Sequence, residues 1–390
     1  MSQQSIEDLI RDTLTDPRRR LEPPPGHYQL VGERIGRARR RRTLRWTCAA
    51  AVVVTLLVVG GLAAARPRTV PRPYLGPSPA PTPSSQYGGW HTLPRIGPGE
   101  PVQVVTDGGF FYLLEDAPGT LLQLDSVNFA AVAAAAVPGK VESLAVEHGG
   151  NSIWVLYTRP DGTTMAREFS GSFTPVRDVP VSDKQVFDAV ALDGQLWLAT
   201  VVGLYRIGPS DTAARLVPGL GFAGTVYALA VDPVRHRLIF TAWRAGAADP
   251  HDPMQVNALD PATMAVTTGA ALPLSKESIA VVSDHVWIAG FSGSNEPHIY
   301  QLDPDKLTVI GTSEVNAQIG PGAIVSGGSD SLWVRDGGDT GLSCVNPATG
   351  AIRQQWQVGP SRVASMPGPV AIGVSQPNLV QLTVGAGCPG

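Results

Sequence analysis

Two patterns of apolar residues divide this chain. Residues 46–65 form one continuous run of 20 residues without a charge. From residue 89 onward, short apolar runs alternate with turns rich in Gly, Asp and Pro. The long run predicts a helix that can span a bilayer, because ~20 helical residues cover the ~30 Å hydrocarbon core. The short runs bounded by turn residues predict β-strands.

An aromatic residue recurs within the strand-like runs at a nearly constant spacing. The spacings are 43, 43, 43, 47 and 46 residues, and a final run without an aromatic centres on Ile372. The recurring residues are Phe111, Trp154, Trp197, Phe240, Trp287 and Trp333. A repeat of this length with strand-like runs predicts the blades of a β-propeller.

Each unit contains four short strands, and the aromatic lies in the second of them. Seven units emerge, but the last one, residues 361–384, has only three strands. The segment from Gly88 to Ile96 supplies a spare strand that we expect to complete it and close the ring. A β-sandwich is the alternative, but it does not explain an aromatic in phase over six units. The prediction is an all-β, seven-bladed propeller with one N-terminal transmembrane helix.

Charges flanking the long apolar run predict its orientation. Seven arginines lie in residues 31–45, and only three lie in residues 66–80. Because arginines stay on the cytoplasmic side, we expect the N-terminus inside and the propeller outside the cell membrane. The flanks facing anionic headgroups are Arg39, Arg40, Arg41, Arg42 and Arg45, with Trp46 at the interface. A signal peptide cleaved after Ala65 and a buried soluble helix remain the alternatives.

Five segments follow from these patterns. Residues 1–45 are a cytoplasmic tail, 46–65 the transmembrane helix, 66–88 a Pro-rich stalk, 89–386 the propeller and 387–390 a tail. The net charge of −3 divides into +5 for residues 1–45, +3 for residues 66–72 and −11 for the remainder. An acidic outer domain argues against nucleic acid as its partner.

Cysteines and histidines give little sign of a cofactor. The chain has three cysteines, too few for a disulfide framework, and no CxxC or haem-attachment motif. Cys344 and Cys388 are the candidate disulfide in an oxidising compartment. Neither a GxSxG elbow nor an HExxH motif occurs. We therefore expect no cofactor, no catalytic residues and no resident metal.

Three related turns carry a resemblance to known propellers. They read "LDPATM" at Leu259–Met264, "LDPDKL" at Leu302–Leu307 and "VNPATGAIRQQW" at Val345–Trp356. These segments resemble the third strand and turn of YVTN and quinoprotein-like propellers, which implies a propeller over residues 90–385. The layout of basic head, single span and propeller also resembles single-pass membrane proteins of actinobacteria, some of which act beside sigma factors.

The longest loops predict a binding site at units four to six. They join second and third strands, and they are polar. The candidate ligand-binding residues are Trp243, Arg244, Asp249, His251, Asp252, Asn295, Glu296, His298, Arg335, Asp336 and Asp339. A polar ligand, with or without a divalent cation, is one interpretation, and ordinary solvated loops are the other.

Three functions remain open from the sequence. The first is a binding, sensor or scaffold module for an unknown protein or small ligand outside the membrane. The second is a transmembrane regulator whose residues 5–16, with Ile6, Leu9, Ile10 and Leu14 on one helical face, bind a cytoplasmic partner. The third is a metal-dependent, lactonase-like hydrolase, disfavoured because only Glu142, Asp188 and Glu277 lie near the small apolar strands at the axis.

Overall fold

The computed structural model describes only part of the chain. The described residues are 90–93, 95–149, 152–181, 185–220, 224–243, 253–291, 297–312, 324–327, 332–335, 341–356, 362–365, 370–375 and 378–383. All described strands lie within the unit Pro81–Gly390. The predicted tail, transmembrane helix and stalk lie outside these residues. Within the described part of the chain, no helix is long and apolar enough to cross a membrane.

The described strands form seven four-stranded antiparallel sheets. Sheet 1 has β2 (Glu100–Thr106), β3 (Phe111–Asp116), β4 (Thr120–Leu124) and β5 (Ala131–Ala136); sheet 2 has β6 (Lys140–Val146), β7 (Ser152–Thr158), β8 (Thr164–Ser170) and β9 (Pro175–Pro180); sheet 3 has β10 (Val186–Leu192), β11 (Gln195–Thr200), β12 (Gly203–Ile207) and β13 (Arg215–Leu216). Sheet 4 has β14 (Val226–Asp232), β15 (Arg237–Trp243), β16 (Met254–Leu259) and β17 (Val266–Leu272); sheet 5 has β18 (Ser275–Val282), β19 (His285–Phe291), β20 (Pro297–Leu302) and β21 (Val309–Thr312). Sheet 6 has β22 (Ile324–Gly327), β23 (Leu332–Arg335), β24 (Leu342–Val345) and β25 (Ile352–Trp356); sheet 7 has β26 (Arg362–Ser365), β27 (Val370–Ser375), β28 (Asn378–Thr383) and β1 (Trp90–Thr92).

Sheet 7 joins the two ends of the domain. Its outermost strand is β1, which pairs antiparallel with β28 from Trp90 opposite Leu382 to Thr92 opposite Val380. The strand predicted from Gly88 to Ile96 therefore completes the last sheet, as expected, although it is only three residues long. This pairing fastens the first strand of the domain to its last.

The seven sheets form a closed ring. The first strands β2, β6, β10, β14, β18, β22 and β26 contact one another in that order, and β26 contacts β2. A hydrophobic cluster fills each junction between neighbouring sheets, including the junction of sheets 7 and 1. The β-propeller that the repeat predicts is therefore confirmed.

The repeated aromatics fill these junctions, because the second strands are covered on both faces. Trp154, for example, is fully buried in one cluster with Leu196 and Leu198 of sheet 3. Phe111 packs with Ile372 and so helps to close the ring. A strand buried on both faces reads as a nearly continuous apolar run, which is why the second strands were visible in the sequence.

The Asp-Pro turns after the third strands are capped by their own aspartates. Asp260 accepts hydrogen bonds from the backbone N–H groups of Ala262 (2.8 Å) and Thr263 (3.2 Å). Asp303 does the same for Asp305 (2.9 Å) and Lys306 (2.8 Å). The recurring D-P motif therefore has a local structural role, since a short acidic side chain satisfies the free N–H groups of a tight turn.

Candidate functional site

The two ends of the propeller differ in their construction. We call "front rim" the end at which the first strand of every sheet begins, and "back rim" the opposite end. Because the strands are antiparallel, turns between second and third strands lie at the front rim, and turns between first and second strands lie at the back rim.

A bulge interrupts the first strand of sheets 1 to 5 near the front rim. The pairing with the second strand shifts at the same place in each of them: between Pro101 and Gln103, Val141 and Ser143, Val186 and Asp188, Val226 and Leu229, and Ser275 and Ser278. An extra residue at a bulge is not held in the ladder, and its side chain is re-aimed. In sheets 1 to 3 this residue is Val102, Glu142 and Phe187, and in sheet 4 the shift takes in both Tyr227 and Ala228.

The residue after the bulge fastens some sheets to their neighbours. The Gln103 side chain accepts a hydrogen bond from the Leu144 N–H (3.0 Å) and donates one to the Leu144 carbonyl (3.2 Å), which joins sheet 1 to sheet 2. The Asp188 carboxylate accepts from the N–H of Leu229 (2.9 Å) in sheet 4 and from that of Ala189 (2.9 Å). Both side chains satisfy backbone groups of inner strands, whose inner edge has no strand partner.

A cavity of about 350 Å³ opens among the first strands of sheets 1, 2 and 3. This volume lies at the lower end of the range for small-ligand sites. Most of its lining is polar. The lining residues are Gln103, Glu142, Ser143, Leu156, Thr158, Thr164, Gln185, Val186, Phe187 and Asp188.

Several polar groups of this cavity retain hydrogen-bonding capacity. Glu142 accepts one long hydrogen bond from the Thr158 hydroxyl (3.3 Å), and the Lys140 ammonium is 3.9 Å away. The Glu142 side chain is 44% exposed, so solvent reaches part of it. The side chains of Ser143, Thr164 and Gln185 have no hydrogen-bond partner within the described part of the chain. The cavity therefore combines a partly exposed carboxylate with hydroxyl and amide groups.

A run of aromatic rings continues from the cavity onto sheet 4. Phe187, which lines the cavity and is 37% exposed, stacks on Tyr227 with ring centroids 4.8 Å apart and an interplanar angle of 23°. Tyr227 in turn meets Trp243 edge-on at 5.7 Å and 67°. These distances are typical of favourable aromatic pairs. The three rings, which we call the aromatic platform, lie beside a polar cavity on the same rim.

The back rim, by contrast, uses its charges in ion pairs. Arg235 contacts the carboxylates of Asp284 (2.6 Å) and Asp305 (2.5 Å), which lie in sheet 5, and that of Asp232 (3.5 Å) in its own sheet. Hydrogen bonds to these acids raise the pKa of Arg235, and the Arg235 guanidinium lowers the pKa of Asp305. This cluster joins sheets 4 and 5, and its charged groups form ion pairs with one another.

Three of the predicted ligand residues fall in the described part of the chain, and all are at the front rim. Trp243 ends β15, His298 is in β20 stacked on Tyr300 (5.9 Å), and Arg335 ends β23. Arg244, Asp249, His251, Asp252, Asn295, Glu296, Asp336 and Asp339 lie outside the described residues, so their clustering stays a prediction. Of the three, Trp243 belongs to the aromatic platform. No group of three His, Cys, Asp or Glu side chains suited to a metal ion occurs among the described residues.

Cys344 is fully buried in β24 and is disulfide-bonded. It packs in the cluster between sheets 6 and 7 with Trp333 and Trp356. Its partner lies outside the described residues, so the pairing with Cys388 stays a prediction.

The residues that sequence reasoning missed are Phe187 and Tyr227 at the bulges, and Gln103 and Gln185 in the cavity. Glu142 and Asp188 were placed near the axis without a role. A signal was present: in units three and four, "VFDAVAL" and "VYALAV" each carry one aromatic in a strand of mostly small apolar residues, with Asp188 as the charged exception.

Comparison with solved structures agrees on the fold. No protein-family model matches the chain, and no curated protein matches it in sequence. The β-propeller domain of Cps50 (Swd1) from Myceliophteria thermophila is similar with a TM-score of 0.55 at 11% identity, over 75% of this chain and 98% of that one. U3-55K is similar with a TM-score of 0.53 at 9% identity, over 76% and 98%. The WD40 domain of Toxoplasma gondii coronin has a TM-score of 0.53 at 12% identity, over 75% and 83%.

Proposed function

We propose that this protein is a membrane-anchored propeller that binds a ligand or a partner at its front rim, on the outer side of the cell membrane. The observation that carries the binding role is the cavity of about 350 Å³, which holds the partly exposed Glu142 carboxylate and the unpaired side chains of Ser143, Thr164 and Gln185. Polar groups at the mouth of a cavity favour a bound ligand, because binding replaces water on groups that the fold leaves unpaired.

The propeller fold supports a binding role over catalysis. Propellers of the WD40 type commonly serve as binding or scaffold modules. The ring is closed by β1 and packed at every junction, so it offers a rigid rim rather than a moving lid. The regulator and the hydrolase that the sequence left open stay predictions.

The proposed location of the protein in the cell membrane rests on the sequence. The uncharged residues 46–65 and the arginines before them favour a single span with residues 1–45 in the cytoplasm and anionic lipid headgroups beside Arg39 to Arg45. The Pro-rich residues 66–88 act as a stiff spacer to the propeller. The resemblance to actinobacterial membrane proteins points to the same layout.

Topology is testable with single cysteines in the full chain. In a Cys48→Ala background, a membrane-impermeant maleimide should label Val127→Cys, whose side chain is highly exposed, on intact cells. Ser5→Cys should be labelled only after permeabilisation. Labelling of Ser5→Cys on intact cells, or of neither before lysis, would refute the proposed orientation.

Binding at the front rim is testable by photo-crosslinking in the same cells. A benzophenone side chain at position 187 should give a discrete adduct, and the same side chain at position 110 should not. Phe110 is the matched control because it is equally exposed, at 37%, but lies in the β2–β3 turn on the back rim. Equal adduct formation at both positions, or none at 187, would contradict a front-rim binding site.

A further inference from the structure

The chemistry of the front rim is divided into an apolar and a polar half. The aromatic platform of Phe187, Tyr227 and Trp243 lies on sheets 3 and 4. The polar half is the cavity, in which Glu142, Thr158 and Thr164 are brought together. Phe187 belongs to both halves, so a single ligand can touch the rings and the polar groups at once.

We infer that this site binds a saccharide, an inference that rests on the proposed front-rim binding function and names its ligand class. A sugar ring has an apolar face of C–H groups and an equatorial belt of hydroxyls. The C–H groups carry partial positive charge and are attracted to the negative face of an aromatic ring. Each hydroxyl is both donor and acceptor, so a belt of hydroxyls matches a set of carboxylate, hydroxyl and amide groups.

The arrangement of the rings distinguishes a saccharide from other ligands. A quaternary ammonium is held in a cage of rings that surround it. Here Phe187 lies against Tyr227 at 4.8 Å, so these two rings face each other and leave no space between them for a cation. A proline-rich peptide requires grooves between rings, which the same close stacking fills. Stacking on Tyr227 covers one side of Phe187, and Phe187 is the ring that lines the cavity, so its exposed part is the apolar surface offered to the flat face of a pyranose.

Each residue then has a defined role. The exposed part of Phe187 and its neighbour Tyr227 form the surface on which a sugar ring lies. The Glu142 carboxylate accepts hydrogen bonds from sugar hydroxyls, and an ionised acceptor makes these bonds stronger than a neutral one does. Thr164, at the β7–β8 turn, supplies a hydroxyl that donates or accepts, and the Thr158 hydroxyl, which donates to Glu142, supplies an acceptor.

The test is isothermal titration calorimetry of the purified full-length protein with neutral hexasaccharides. The probes are cello-, xylo-, malto-, manno- and chito-oligosaccharides. We expect at least one to bind with a Kd below about 1 mM. Phe187→Ala should weaken that binding about tenfold, and Glu142→Gln about fivefold, because the amide keeps an acceptor but loses the charge. Phe110→Ala should leave the affinity unchanged, and the unfolding temperature of each variant reports whether it is folded.

The outcomes separate this inference from the proposed function. Sugar binding that Phe187→Ala weakens and Phe110→Ala does not supports both. A crosslink at position 187 without binding of any oligosaccharide overturns the saccharide inference and leaves front-rim binding intact. Sugar binding that is equal in the wild type, Phe187→Ala and Glu142→Gln overturns the assignment of the site. Absence of both crosslink and sugar binding overturns both proposals.

Discussion

Replacing Arg177 with Met tests how the junction between sheets 2 and 3 is held. The Arg177 guanidinium, in β9, donates to the carbonyls of Gly208 (2.8 Å) and Asp211 (2.8 Å) in the turn of sheet 3. It also donates to the Glu168 carboxylate (2.6 Å) and lies 5.2 Å from the centre of the Trp154 ring. One side chain thus contacts two strands of its own sheet and a turn of the next.

The magnitude follows from these contacts. Hydrogen bonds to a charged donor contribute about 1.5–3 kcal/mol each, and the cation–π contact about 0.5–1 kcal/mol. Arg177 gives up part of its hydration, with a side chain only 19% exposed, and that cost offsets part of the gain. Removing one partner of such a pair also leaves Glu168 with little access to water. We expect Arg177→Met to lower the free energy of unfolding by about 3 kcal/mol, which corresponds to about 6 °C in Tm.

Arg215→Met is the matched control. Arg215 lies 3.0 Å from the Asp211 carboxylate, but its side chain is 65% exposed, so the pair is screened by solvent. This variant should change stability by less than about 1 kcal/mol. The assay is urea unfolding of the purified full chain followed by circular dichroism. If Arg177→Met costs no more than Arg215→Met, the apolar cluster alone holds the junction and the reasoning fails.

Four further predictions concern other residues of the propeller. Asp188→Ala should cost about 1–3 kcal/mol in urea unfolding, because it leaves buried N–H groups of the inner strands without acceptors; an effect below about 0.5 kcal/mol would mean that water replaces the carboxylate. Burial raises the pKa of Glu115, so the folded protein is destabilised when this carboxyl ionises as pH rises. The Tm of Glu115→Gln should therefore increase relative to that of the wild type between about pH 4 and pH 7. Hydrogen bonds from Arg167 lower the pKa of Asp178, so the ionised carboxylate stabilises the folded protein. Asp178→Asn should therefore have a lower Tm than the wild type at neutral pH, and this difference should disappear as pH falls. If the Tm difference from wild type changes with pH in the same way for both variants, both assignments are refuted. If Cys344 pairs with Cys388, alkylation of the unfolded, unreduced chain should modify one cysteine in the mass spectrum, and Cys388→Ser should raise this number to two.

The strand pattern was predictable because of how the sheets pack. Second strands are buried on both faces, so the runs around Trp154 and Trp197 are apolar without interruption. The closing strand was also predictable, since three strands in the last unit left one pairing edge open. β1 fills that edge, although it is shorter than the predicted segment from Gly88 to Ile96.

The cavity was not predictable by the same reasoning. The sequence predicts a site in long polar loops, and most of those residues lie outside the described part of the chain. The cavity is built from strand residues instead, and it depends on bulges whose place in the strand pairing the sequence does not give. Glu142 and Phe187 align only after the pairing of β6 and β10 with their second strands is known. Tyr227 lies in the corresponding shift of β14.

In sheets 1 to 4 the bulge is a position that the pairing of the propeller strands constrains less than its neighbours. Residues before and after it pair in the ladder, fill the junction clusters or, as with Gln103, fasten the next sheet. The bulged residue does not pair, and four equivalent positions in this one chain carry valine, glutamate, phenylalanine and tyrosine. Val102 packs against the cluster between sheets 1 and 2, but Glu142 and Phe187 are partly exposed, so packing does not dictate the side chain at these two sites. Substitutions at these positions can therefore change binding specificity without disturbing the ring. The acidic and aromatic residues at the bulges of sheets 2 to 4 are accordingly the ones that we expect to determine which ligand binds.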